Sequence, residues 1–281
     1  MATVRPSPLA GTWYPADPAT LASWIDRLLA DAQADLPRDW DPSRVVALIA
    51  PHAGLRYSGP VAARAYAAVT GQSYERVAVV GPMHHLVRAP LLTTAHDAWE
   101  TPLGLVPVDQ ATLDQIDFAL RARGLPGLAR VANDPEHSLE MEVIFLQRAL
   151  AGPFRLVPLM LATVAPGVLQ GLGHVLADHM RPGTDLLVAS SDLSHYYPQD
   201  VANALDAEML RRILSLDPMA VLQAEEEGKG FACGRAAIAT VLWAAKALGA
   251  REAVLLGYAT SGDVTGDYQQ VVGYPAVALL R

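Results

Sequence analysis

The sequence predicts an α/β sandwich: one domain over residues 1–281, with a mostly parallel or mixed central sheet and helices on both faces. Two observations predict it. Short apolar runs rich in β-branched residues recur along the chain, as strands buried on both faces require. Between them lie longer segments of helical periodicity, and alternation of the two is the pattern of an α/β sheet. With 52% hydrophobic and 18% charged residues, the chain has ample material for a core and falls outside the disordered class.

Taken in order, "DPATLASWIDRLLADA" reads as a helix with Asp17 as cap and Pro18 in the first position. The run "RVVALIA" (44–50) is the first strand, "GPVAARAYAAV" the second helix and "RVAVVG" (76–81) the second strand. "DQATLDQIDFALRARG" and "SLEMEVIFLQRALAG" are helices that end on Gly, as a C-cap does. "RLVPLML" (155–161) and "DLLVAS" (185–190) are the third and fourth strands, with the helix "GVLQGLGHVLADHM" between them. "NALDAEMLRRILSL" and "CGRAAIATVLWAAKALG" are helices, and "AVLLGYA" (253–259) and "YPAVALL" (274–280) are late strands. "EEEGKG" reads as a solvated charge run. No repeat or Ser/Gly linker divides the chain.

Charge and composition exclude several functions. The net charge is −8 and no basic run is present, so a nucleic-acid footprint is not expected. Apolar runs are interrupted within about ten residues, short of the ~18 that a membrane span needs. The N-terminal stretch has no apolar core of a signal peptide. One cysteine makes no internal disulfide, which points to a reducing cytoplasm.

Sites in open α/β sheets gather beyond the carboxyl ends of the strands. There, "PHAG" places His52, "PMHH" places His84 and His85, and "SSDLSHYYP" places Asp192 and His195. Cys233, at the start of a helix and beside Arg235, is expected to have a lowered pKa. Two imidazoles and a thiolate, His52, His84 and Cys233, make a three-ligand metal site with an open position, soft-leaning and suited to zinc, copper or iron. Asp192 and His195 then serve in acid–base chemistry or beside the ligands, the carboxylate holding an imidazole in one tautomer. His137 is a candidate to line the same cavity, while Glu140 falls in a helix first turn that favours a carboxylate by capping alone. Trp13, Tyr14 and Tyr57 occupy turn-like segments and either wall a ligand cavity or pack an N-terminal arm. His96, His174 and His179 read as surface residues.

In this order, "AGTWYPAD", "IAPHAGLRYSG", "VVGPMHH", "EHSLEME", "SSDLSHY" and "ACGR" resemble the Memo family, whose bacterial and archaeal members are also called AmmeMemoRadiSam system protein B. The resemblance spans almost the whole chain. It implies a fold similar to the class III extradiol ring-cleavage dioxygenases, with His52, His84 and Cys233 as metal ligands and Asp192 and His195 completing the site. It implies iron(II) or copper, with zinc as a further metal, and a redox or oxidoreductase role. A cysteine where the dioxygenases carry a carboxylate weighs against ring cleavage. His85, His137, Tyr57 and Trp13 are the expected substrate contacts. An extradiol dioxygenase and a non-enzymatic adaptor for a peptide or small ligand are the alternatives, and the family name implies association with a radical-type enzyme. Leu55 and Arg56 depart from the residues often found in relatives, which implies a differently shaped site.

Overall fold

The computed structural model describes residues 3–281, so Met1 and Ala2 of the expected domain lie outside the described residues. The chain begins with β1 (Val4–Arg5), α1 (Pro18–Ala34), β2 (Val45–Ala50), α2 (Leu55–Ala67), β3 (Arg76–Pro82), β4 (Leu91–Thr94), β5 (Ala98–Thr101) and β6 (Gly104–Pro107). It continues through α3 (Gln110–Ala122), β7 (Ala129–Val131), α4 (Glu140–Ala149), β8 (Arg155–Leu161), α5 (Pro166–His179) and β9 (Asp185–Ser190). The last part comprises β10 (His195–Tyr197), α6 (Gln199–Leu214), α7 (Pro218–Glu226), α8 (Arg235–Ala247), β11 (Glu252–Thr260), α9 (Gly262–Thr265) and β12 (Val271–Leu280).

The four early apolar runs are β2, β9, β3 and β8, adjacent in that order and all parallel, with Ala47 opposite Leu187, Leu187 opposite Ala78 and Ala78 opposite Val157. Parallel strands need both faces covered, which is why these runs are apolar throughout rather than alternating. Antiparallel strands finish both sides: β12 and then β11 beside β2, β4 beside β8, with β7 outermost and parallel to β4. Two groups of helices enclose the sheet, α1, α2 and α4 in one and α3, α5, α7 and α8 in the other. The α/β class and mixed sheet are therefore as the sequence predicts.

Three details differ. Helix α2 starts at Leu55, four residues before the expected Gly59, and Pro60 sits inside it. Pro60 falls in the second turn, where the missing N–H removes one bond that burial of Leu55, Val61, Ala62 and Tyr66 offsets. The charge run at 225–230 begins in the last turn of a further helix, α7, capped by Asp217, whose carboxylate accepts from the N–H groups of Met219 and Ala220. A small second sheet, β1–β5–β6, pairs Arg5 with Trp99, and its two-residue first strand carries no periodic signal. No helix among the described residues is long and apolar enough to cross a membrane.

Candidate metal centre

The carboxyl ends of β2, β3 and β9 lie side by side, so the segments after them share one edge of the sheet. His52 follows β2, His84 follows β3 and Asp192 follows β9. Helix α8 starts against this edge and brings Cys233 to it. The approach is close: a Cβ on Gly234 would fall 2.3 Å from the Ser190 carbonyl oxygen, so only glycine lets the chain pass. Two bonds join Asp192 and Cys233: the Cys233 N–H donates to the Asp192 carbonyl at 3.2 Å, and the Asp192 N–H donates to the Cys233 side-chain sulfur at 3.3 Å.

His52, His84 and Cys233 present ligand atoms that all lie within 4.8 Å of one another, with the Cys233 Sγ 3.2 Å from the His52 Nε2. Tetrahedral donors around one ion with bonds of about 2.0–2.3 Å have this spacing. The set fits a metal in a second respect. Glu136 Oε1 lies 2.9 Å from the His84 Nδ1, and Oε2 accepts the His84 backbone N–H at 2.6 Å. Burial opposes ionisation of Glu136, but the bond and charge of His84 and the N–H groups of Ser138 and His84 hold it well below the usual carboxylate range. An ionised Glu136 accepts only, so His84 donates from Nδ1, which leaves Nε2 as the nitrogen available to a metal. His52 is oriented likewise: its Nδ1 meets the Ser190 Oγ at 2.8 Å, which donates to Glu142 Oε1 at 2.7 Å, while Tyr66 donates to Glu142 Oε2 at 2.6 Å. Burial raises Glu142 to about 8 against the pull of those Tyr66 and Ser190 bonds.

A second cluster, His84, Glu136 and His137, also places donor atoms together. It is explained without an ion, because Glu136 Oε1 already accepts the N–H groups of His137 and Ser138, each at 2.9 Å, besides facing His84.

The thiol differs from expectation. Arg235 turns away to Glu225, so it does not stabilise a thiolate. Burial of the sulfur, with the charge of Asp192, pushes the Cys233 thiol up. The S–H then faces the lone pair of the His52 Nε2, whose own pKa burial and the neighbouring His137 and His84 depress. A metal ion binding there displaces that proton.

The remaining residues divide between two cavities. The larger, about 760 Å³, is floored by His52, His84, His137, His195 and Asp192 and walled by Trp13, Tyr57 and Tyr196. The His137 ring lies between Trp13, 4.4 Å away, and His84, 4.5 Å away. Burial lowers His137 to about 4. His85 is not in this cavity; it is exposed and lines a second one of about 510 Å³, which reaches Cys233 from the other side. Asp192 and His195 do enter the larger cavity together, as their spacing implied, but no carboxylate among the described residues orients His195. Its Nδ1 bonds the Leu193 carbonyl at 2.7 Å, and the imidazole–carboxylate pair is His84 with Glu136 instead. Asp192 accepts the His52 backbone N–H at 2.9 Å, and burial raises it to about 7.

Glu136, the partner of His84, and Glu142, which reaches His52 through Ser190, carry no signal of their own; they are the two end residues of "EHSLEME", four before and two after Glu140. Glu140 is not a simple cap. It is fully buried and bonded by Arg5, Ser7 and Tyr14, so Tyr14 packs the N-terminal arm rather than the cavity. His96 is buried rather than on the surface, its Nε2 accepting the Asn133 N–H at 3.1 Å; His174 is exposed and His179 half-buried.

A family model described as Memo-like protein matches residues 5–278. The chain is 35% identical to a MEMO1 family protein of Methanopyrus kandleri over 99% of both chains. It is 36% identical to one of Methanothermobacter thermautotrophicus, over 96% of this chain and 98% of the relative. A MEMO1 family protein of Aquifex aeolicus is 31% identical over 99% of both chains.

Proposed function

The chain belongs to the Memo family, and from that premise we propose that it is a metal-dependent redox protein holding one iron or copper ion on His52, His84 and Cys233. The observation that carries this reading is the convergence of three soft-leaning donors from three distant segments, each imidazole with its Nδ1 already engaged. A bound ion of this kind supplies one-electron chemistry and an open position facing a ligand.

The protein's own residues do the rest. His52 and His84 are fixed in rotation by Ser190 and Glu136, so their lone pairs do not need to search. Asp192 ties the β2 and α8 ends together through the His52 N–H and the Cys233 peptide. His195, its Nδ1 held by a carbonyl, turns an unprotonated Nε2 to the larger cavity, and burial keeps it neutral. That nitrogen is placed to take a proton from a bound ligand. Trp13, Tyr57 and His137 line the cavity in which a ligand would sit.

Elemental analysis with an anaerobic absorption spectrum tests the reading on protein purified without added metal. About one equivalent of iron or copper per chain is expected; a protein that arrives metal-free and takes up neither ion overturns it. In His195→Ala, metal content is expected to be unchanged, while ascorbate oxidation under air falls about 10²–10⁴-fold, the usual contribution of a positioned acid or base. Loss of metal in that variant would instead make His195 a ligand.

A further inference from the structure

We propose that the second cavity is the port through which a metal ion reaches and leaves the site, and that His85 and Met83 pass it to Cys233. The inference rests on the reading of His52, His84 and Cys233 as metal ligands.

The two cavities meet the three ligands from different sides. Of the three, His52 lines only the larger cavity, Cys233 only the second, and His84 both. The sulfur is therefore approached through the second cavity, and the proton that a binding ion displaces from the thiol leaves to solvent by the same opening. Two further donors line that opening. Met83 and His85 flank His84 in the chain, and both line the second cavity and not the larger. The Met83 N–H donates to the Leu161 carbonyl at 2.9 Å and the His84 N–H donates to Glu136, so the segment is pinned as far as residue 84. Past that point His85 is exposed, and its ring has neither a hydrogen bond nor an ion pair among the described residues, whereas the His84 ring is held by Glu136. A free imidazole, a thioether and a thiolate form a path of soft-leaning donors. The rest of the lining is largely apolar, Leu86, Leu161 and Val164 included, and no carboxylate lines it to compete for the ion.

The larger cavity is the poorer route for a cation. Arg56 lines it as its only Arg or Lys, and the guanidinium forms no ion pair among the described residues. An uncompensated positive charge beside an opening repels an incoming cation. Asp192, the only carboxylate lining this cavity, is turned to the His52 N–H. In the second cavity the only Arg or Lys is Arg235, and Glu225 neutralises it. An ion can thus be exchanged through one cavity while the other holds a ligand.

Anaerobic stopped-flow transfer of copper(I) or iron(II) from a chromogenic chelator to the metal-free protein, and back to excess chelator, tests the proposal. His85→Ala should slow capture and release alike by about tenfold, as loss of one contact to a charged ion does, with the equilibrium affinity unchanged. His85→Met, which keeps a soft donor, should recover most of the rate, and Met83→Leu should add to the defect of His85→Ala. Arg56→Gln should leave both rates as in the parent. Capture unchanged in His85→Ala, or faster in Arg56→Gln, would route the ion through the larger cavity and overturn the proposal. An equilibrium affinity that falls in His85→Ala would make His85 a resident ligand and equally overturn it. A parent that takes up neither ion refutes the metal reading itself, whereas a parent that loads normally beside an unaffected His85→Ala refutes this inference alone.

Discussion

Serine in place of Cys233 is expected to lower metal affinity by at least about 100-fold while leaving the fold intact. Loss of an outer partner of a metal ligand already costs about 10–100-fold, and Cys233 contributes the only sulfur of the cluster. An oxygen at that position is a harder, shorter donor, mismatched to iron(II) or copper bound through imidazoles. The backbone does not depend on the sulfur: the Cys233 N–H still donates to Asp192, and the Gly234 N–H still donates to the Ser191 Oγ at 2.9 Å. The melting temperature of the metal-free variant should therefore match that of the metal-free parent. Chelator competition followed by elemental analysis measures the effect. Equal occupancy in variant and parent would remove Cys233 from the site and leave two imidazoles, too few to hold an ion against a chelator.

What could be read from residues alone follows a physical boundary. β2, β3, β8 and β9 were legible because strands covered on both faces must be apolar at every position, a local property. Once those strands are set, the rule that sites lie past their carboxyl ends locates His52, His84 and Asp192 without further information. Cys233 was legible only as a possibility, because nothing local says that α8 begins against β9. The partners of the imidazoles were not legible. Glu136 and Glu142 are separated from His84 and Ser190 by about fifty residues, and a carboxylate near a helix start looks the same whether it caps or reaches across the core. The thiol illustrates the same limit: the sequence places Arg235 beside Cys233, and only the position of Glu225 reveals where that charge goes. Burial of His96 has no local signal, because it depends on the segment after β7 reaching back to the segment after β4, and those strands are three and four residues long.

The boundary also identifies the residue whose loss should be felt most in stability. Arg5→Met is expected to destabilise the protein by about 3–5 kcal/mol, the cost of leaving buried charges without their partner. The Arg5 side chain is 1% exposed, and it binds Asp134 at 3.1 Å and Glu140 at 2.5 Å while its guanidinium lies 4.2 Å from the Trp99 ring centroid. Its NH2 also donates to the Glu136 carbonyl at 2.8 Å. That bond fixes the segment whose carboxylate holds His84, so the same variant should weaken metal binding by about 10–100-fold, as loss of an outer partner does. Urea unfolding of the metal-free protein measures the first effect separately from the second. A general loss of packing would be additive with Glu140→Gln. Removal of a buried charge pair would not be: the double variant should be less destabilised than the sum of the two singles, because each single leaves a charge that the other removes. Additivity, or a loss below about 1 kcal/mol, would mean that water reaches this cluster and that β1 is an ornament of the fold; strong coupling would mean that the first strand of the chain, two residues long, anchors the segment on which the second metal ligand depends.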